Sequence, residues 1–66
     1  MQYLTVTDIS GNAIRISLGA IESWEPAVHG TGSIIHYAGQ TLGVKETPDM
    51  IDAQIAKLRI SSLQRT

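Results

Sequence analysis

Apolar and polar side chains alternate in two short runs near the start of the chain. In "YLTVT", residues 3–7, Leu4 and Val6 share one face; in "AIRISL", residues 13–18, Ile14, Ile16 and Leu18 share one face, with Arg15 and Ser17 opposite. A period of two is that of a strand with one side buried. Between the runs lies "DISGN", a cluster of turn formers whose Gly11-Asn12 pair takes positive φ at little cost, so an antiparallel hairpin is expected.

The pattern then loosens. Ile21 and Trp24 stand three apart, which suits a helical turn or a bulge, whereas Trp24-Glu25 before Pro26 should be extended. A short turn over 18–21 leading into a strand over about residues 22–26 satisfies both, with Pro26 at an edge or at the strand's end. "AVHGTGS" is loop chemistry, with Gly30 and Gly32 flanking Thr31. "SIIHY" and "QTLGVK" read as two more strands that meet around Ala38-Gly39. Short links favour pairing between sequence neighbours, which predicts a meander.

Thr47-Pro48-Asp49 changes the register of the chain. The Thr47 hydroxyl can accept from a free backbone N–H, Pro48 suits the first helical position, and Asp49 opposes the positive helix end. Ile51, Ile55 and Leu58 then recur at i, i+4 and i+7, one apolar stripe of a helix running to about Ile60, with "SSLQRT" fraying. The predicted fold is α+β: an antiparallel β-meander of about five strands with one C-terminal α-helix packed on one face, in a single domain over residues 1–66.

Composition adds limits to this picture. With 66 residues, 42% of them hydrophobic, the chain is globular but small. A core of this size supplies about 3–5 kcal/mol, and self-association is a common further source of stability. The absence of cysteine rules out disulfides, thiolate metal sites and a cysteine nucleophile, and agrees with a cytoplasmic location. No basic segment precedes an apolar run and no apolar stretch nears ~18 residues, so neither export nor membrane spanning is expected. The net charge of −1 gives no global field for a phosphate backbone, although Lys57, Arg59 and Arg65 follow one another without an acid.

Candidate chemistry is sparse. His29 and His36 lack the three or four convergent ligands of a zinc site, so no metal and no cofactor is expected. The serines lack a nucleophile-elbow setting and no acid–base pair is discernible, which argues against an enzyme. The segment His29, Gly30, Thr31, Gly32, Ser33 can present successive backbone N–H groups and two hydroxyls to an anion. Trp24, Ile35 and Tyr37 are candidates for an exposed apolar patch that meets a second subunit or another protein.

The order "LTVTDISGNAIRI", "LGAIESWEP", "SIIHYAGQTLGVKETPDMIDAQI" resembles the small flagellar and swarming-motility FlbD-type family. The matching features are Gly11, Ile21, Ile34-Ile35, Gly39, Val44-Lys45-Glu46 and the helix at Pro48. It is also similar to the central part of LytTR-type DNA-binding domains. The resemblance implies a β-rich domain with a regulatory or assembly role, of bacterial or phage origin. The expected function is therefore a non-catalytic regulatory or host-takeover binding module. It would be homo-oligomeric, binding a protein partner or sequestering a small anionic, nucleotide-like ligand at a subunit interface. The alternative is a LytTR-like DNA binder using Lys45, Lys57, Arg59 and Arg65, although the segments that would meet DNA carry Glu22, Glu25 and the uncharged "HGTGS".

Overall fold

The computed structural model describes residues 2–64, with side chains as far as residue 60. Strands β1 (Tyr3–Thr7) and β2 (Ala13–Ser17) form the expected antiparallel hairpin, with Leu4 opposite Ile16 and Val6 opposite Ile14. Its loop is organised by Asp8, whose carboxylate accepts from the N–H groups of Ser10 (3.0 Å) and Asn12 (2.8 Å). Gly11 takes φ +95°, the conformation that its lack of Cβ permits.

β3 (Ile21–Pro26), β4 (Ser33–Tyr37) and β5 (Gln40–Val44) form a second antiparallel sheet in that order. The register slips between Ile21 and Ser23. That irregularity explains the three-residue spacing of Ile21 and Trp24, because both side chains turn to the core while Glu22, Ser23 and Glu25 stay exposed. Pro26 ends β3, an edge strand, where a missing N–H costs nothing. The β4–β5 turn is tight: Ala38 (φ +48°) and Gly39 (φ +76°) both have positive φ, the combination of a type I′ hairpin.

The five strands do not make one continuous meander. β2 and β3 are not paired; a 3-10 turn, Leu18–Ala20, bends the chain between them. The backbone groups there go elsewhere, Leu18 N–H to the Gln2 carbonyl (2.9 Å) and Ala38 N–H to the Ala20 carbonyl (3.2 Å). The two sheets meet instead through β1 and β5, by the Asp8–Val44 bridge and the bond from Lys45 N–H to the Thr7 carbonyl (2.8 Å).

Helix α1 (Pro48–Gln64) covers the inner faces of both sheets. Thr47 caps it, its hydroxyl accepting from Met50 N–H (3.2 Å). The helical backbone continues through residues 61–64, past the expected end, and the fraying expected of Arg65 and Thr66 lies outside the described residues. Ile51 and Ile55 enter a core made with Leu4, Val6, Ile16, Ile35 and Val44. No described helix is long and apolar enough to cross a membrane.

The helix also closes the open side of β1. The Gln54 side chain accepts from Thr5 N–H (2.9 Å) and donates to Thr5 C=O (3.1 Å), filling the place of a residue in a neighbouring strand. Two residues further along β1, the Glu46 carboxylate accepts from Thr7 N–H (2.8 Å), and just before the strand the Gln2 side chain donates to the Leu58 carbonyl (2.9 Å). Every outward backbone group of Thr5 and Thr7 is thus satisfied from a residue near or within α1 or from Lys45.

Candidate functional site

Two adjacent outward positions shape the outer face of the second sheet. Ile34 on β4 lies opposite Gly43 on β5, so an isoleucine stands beside a position with no side chain. Ile9, at the tip of the first hairpin and 77% exposed, leans over the gap: a Cβ on Gly43 would come 3.6 Å from its Cγ2. A depression results, with an apolar floor.

The 27–32 loop forms its rim. Ala27 N–H donates to the Gly32 carbonyl (3.0 Å), closing the loop, and Gly30 takes φ +86° at its turn. Gly32 lies against β5 so closely that any Cβ there would run into the Val44 carbonyl oxygen. This contact presses the loop onto the strand end and sets His29 and Thr31 on one side of the groove, with Lys45 also lining it. The cavity holds about 320 Å³, at the lower end of the range for small-ligand pockets. Of its lining residues only His29 and Lys45 are ionisable, and neither is an acid.

No family model, curated protein or solved structure matches this chain.

The predicted anion segment is thus partly assembled. His29, Thr31, Gly32 and Ser33 line the groove, and Gly30 stands outside its lining. Ser33 corrects the expectation for its hydroxyl: it is only 1% exposed, and its Oγ donates to the Glu46 carbonyl at 2.7 Å. Its role is to tie β4 to the segment entering α1, leaving the hydroxyl unavailable to a ligand. Composition concealed this, because "HGTGS" reads as loop to its end while its last residue already belongs to a strand.

Six groove residues lie outside the predicted ligand segment: Ile9, Ala27, Ile34, Gly43, Val44 and Lys45, the last expected only as a contact to nucleic acid. A glycine within a strand pattern signals a missing side chain or a close approach, and Gly43 carried that signal. Ile9, an apolar residue inside a turn cluster, carried a weaker one.

The expected apolar partner patch is not present. Ile35 is fully buried in the core, and Trp24 and Tyr37 are half-buried against it, all three facing inward. The adjacent isoleucines of "SIIHY" could have faced either way, and the helix decides between them by covering the Ile35 side. Trp24 has a further anchor, its indole N–H donating to the Asp52 carboxylate of α1 at 2.7 Å. Tyr3 stays half-exposed on the other side of β1, with the Arg15 guanidinium 5.9 Å from its ring centre.

The three described cations of the nucleic-acid alternative, Lys45, Lys57 and Arg59, do not form one surface. Lys45 belongs to the groove, while Lys57 and Arg59, two residues apart on α1, point about 200° apart around its axis. Arg65 lies outside the described residues. On the outer sheet face, the His36 imidazole lies 2.5 Å from the Glu25 carboxylate, a diagonal cross-strand pair. Among the described residues no three His, Asp or Glu side chains gather as a metal site requires.

Proposed function

We propose that the chain is a small non-catalytic binding module that takes a small anionic ligand in the groove between the 27–32 loop and β5. One observation supports this above the others: a concave surface with an apolar floor whose only ionisable lining groups are a lysine and a histidine. An anionic group would lie against Lys45 and His29, with the Thr31 hydroxyl as a further donor. A flat apolar portion would rest on Ile9 and Ile34 across Gly43. Nucleoside monophosphates combine these two parts and are the ligand class of choice. A regulatory role, as the FlbD-type resemblance implies, fits a module that holds a molecule and does not convert it.

The test is an NMR titration of the protein with adenosine and guanosine monophosphates, and separately with inorganic phosphate. The amide signals of Gly30, Gly32 and Gly43 should shift together and saturate with the nucleotides. Phosphate alone should bind more weakly, having no apolar part. Lys45→Glu should weaken the nucleotide response by about tenfold while leaving the fold intact. Unmoved glycine signals, or a response that Lys45→Glu leaves unchanged, would refute the reading.

A further inference from the structure

The face of α1 turned away from the core has an unusual composition for a solvent-exposed surface. Met50 (55% exposed) and Ile60 (54% exposed) project from it, and between them lie the exposed alanines Ala53 and Ala56. These residues, with Gln54 and Lys57, line a shallow concavity of about 510 Å³. The flank nearer Trp24 bears one acid and one base, Asp52 and Arg59, two turns apart and so on nearly the same line of the helix.

Six positions of this face are complementary on reversal, while Lys57, which lines the same concavity, has no acidic counterpart among them. Read forward the face runs Met50, Asp52, Ala53; read backward it runs Ile60, Arg59, Ala56. We propose that this face is the interface of a homodimer in which α1 packs antiparallel against α1 of a second copy. This goes beyond the ligand reading and is independent of it. In a two-fold interface, residue i meets j and j meets i. Met50 then packs on the partner copy's Ile60 and Ala53 on the partner copy's Ala56. Asp52 faces the partner copy's Arg59, and the same three contacts recur on the other side of the axis. The alanines let the two helices approach toward the short end of the 8–10 Å range usual for packed helices.

Charge selects both the occupant and its direction. A parallel arrangement would put the two Asp52–Arg59 flanks on opposite sides of the interface, whereas the antiparallel one brings them to the same side and makes two opposite-charge pairs. An unrelated partner helix would have to reproduce the same order of apolar, acidic, small and basic positions; a second copy already has it.

Sedimentation velocity from low to high micromolar concentration tests the proposal. The wild-type chain should shift from monomer to dimer, and Ala56→Glu, a substitution at an exposed helical position, should hold it monomeric with unchanged circular dichroism. Asp52→Arg and Arg59→Asp should each weaken the dimer by about tenfold, and the double variant, which restores opposite charges across the axis, should recover it. Because Asp52→Arg also removes the acceptor for the Trp24 indole, Arg59→Asp is the cleaner single variant. A chain that stays monomeric throughout overturns the proposal. A dimer indifferent to Ala56→Glu, or a charge-swapped double variant no better than the singles, overturns it equally.

Discussion

Replacing Gly32 by alanine should be the most damaging single methyl addition among the chain's described glycines, although Gly32 does not have a positive φ. A Cβ at this position would collide with the Val44 carbonyl oxygen and lie 3.2 Å from its carbonyl carbon. Both atoms are nearer than the ~3.5 Å at which non-bonded carbon contacts become favourable. They are also backbone, and so cannot swing aside. Val44 pairs with Ser33 in the β4–β5 ladder and with Asp8 in the bridge between the sheets, so yielding there loosens two junctions. Yielding on the other side strains the Ala27–Gly32 bond that closes the loop. Overpacking of this kind costs about 1–3 kcal/mol, and loss of one or two backbone hydrogen bonds adds about 1 kcal/mol each. A total of about 3 kcal/mol leaves only about 0–2 kcal/mol of the ~3–5 kcal/mol that a core of this size provides, so a detectable share of the variant, up to about half, should be unfolded near room temperature. Gly30→Ala is the control. At φ +86° with nothing within 4 Å, it meets only backbone strain, about 1–2 kcal/mol. Urea denaturation followed by the fluorescence of Trp24, the sole tryptophan, measures both variants. A Gly32→Ala protein within about 1 kcal/mol of wild type, or more stable than Gly30→Ala, would refute the steric argument.

Three other substitutions have definite expected outcomes. Ala38→Asn should raise stability by about 0.5–1 kcal/mol in the same assay, because Asn-Gly suits the paired positive φ values that Ala38 adopts at some strain. Ser33→Ala should cost about 1–3 kcal/mol, since it strips the Glu46 carbonyl of its buried donor while leaving the volume nearly unchanged; a neutral result would mean that water replaces the hydroxyl. A double-mutant cycle on Glu25 and His36 should return a coupling of no more than about 1 kcal/mol that shrinks with added salt, because both side chains remain substantially exposed.

How far the sequence reveals this fold differs from element to element. The first hairpin and the helix were readable because each repeats its own period over enough positions, and because Thr47-Pro48 marks a boundary with specific backbone chemistry. The bulge in β3 was visible as a conflict between a three-residue spacing and a proline. Strand partnership was not, since alternation records which face is buried and says nothing about which strand lies alongside. The break between β2 and β3 follows from a single 3-10 turn, and the junction of β1 with β5 joins residues far apart in the chain. The groove was half legible for a related reason. Loop composition located His29 and Thr31, but Ile9 and Lys45 reach the same place only after both sheets have formed. The inward turn of Ile35 likewise depends on where the helix settles.

Gln54 carries a consequence for how the chain is made. It guards the edge of β1 from 49 positions further along, and Gln2 is joined to Leu58 across 56. During synthesis the first hairpin emerges early, with two strands able to pair at once and an unsatisfied edge that invites any extended segment nearby. The residue that covers that edge is added only after all five strands. The interval between these events is the period of greatest exposure to mispairing, and docking of the helix ends it in one step by burying Ile51 and Ile55 as Gln54 engages Thr5. Shortening the helix from its far end would therefore injure a hairpin at the opposite end of the chain, leaving it folded with an open, adhesive border.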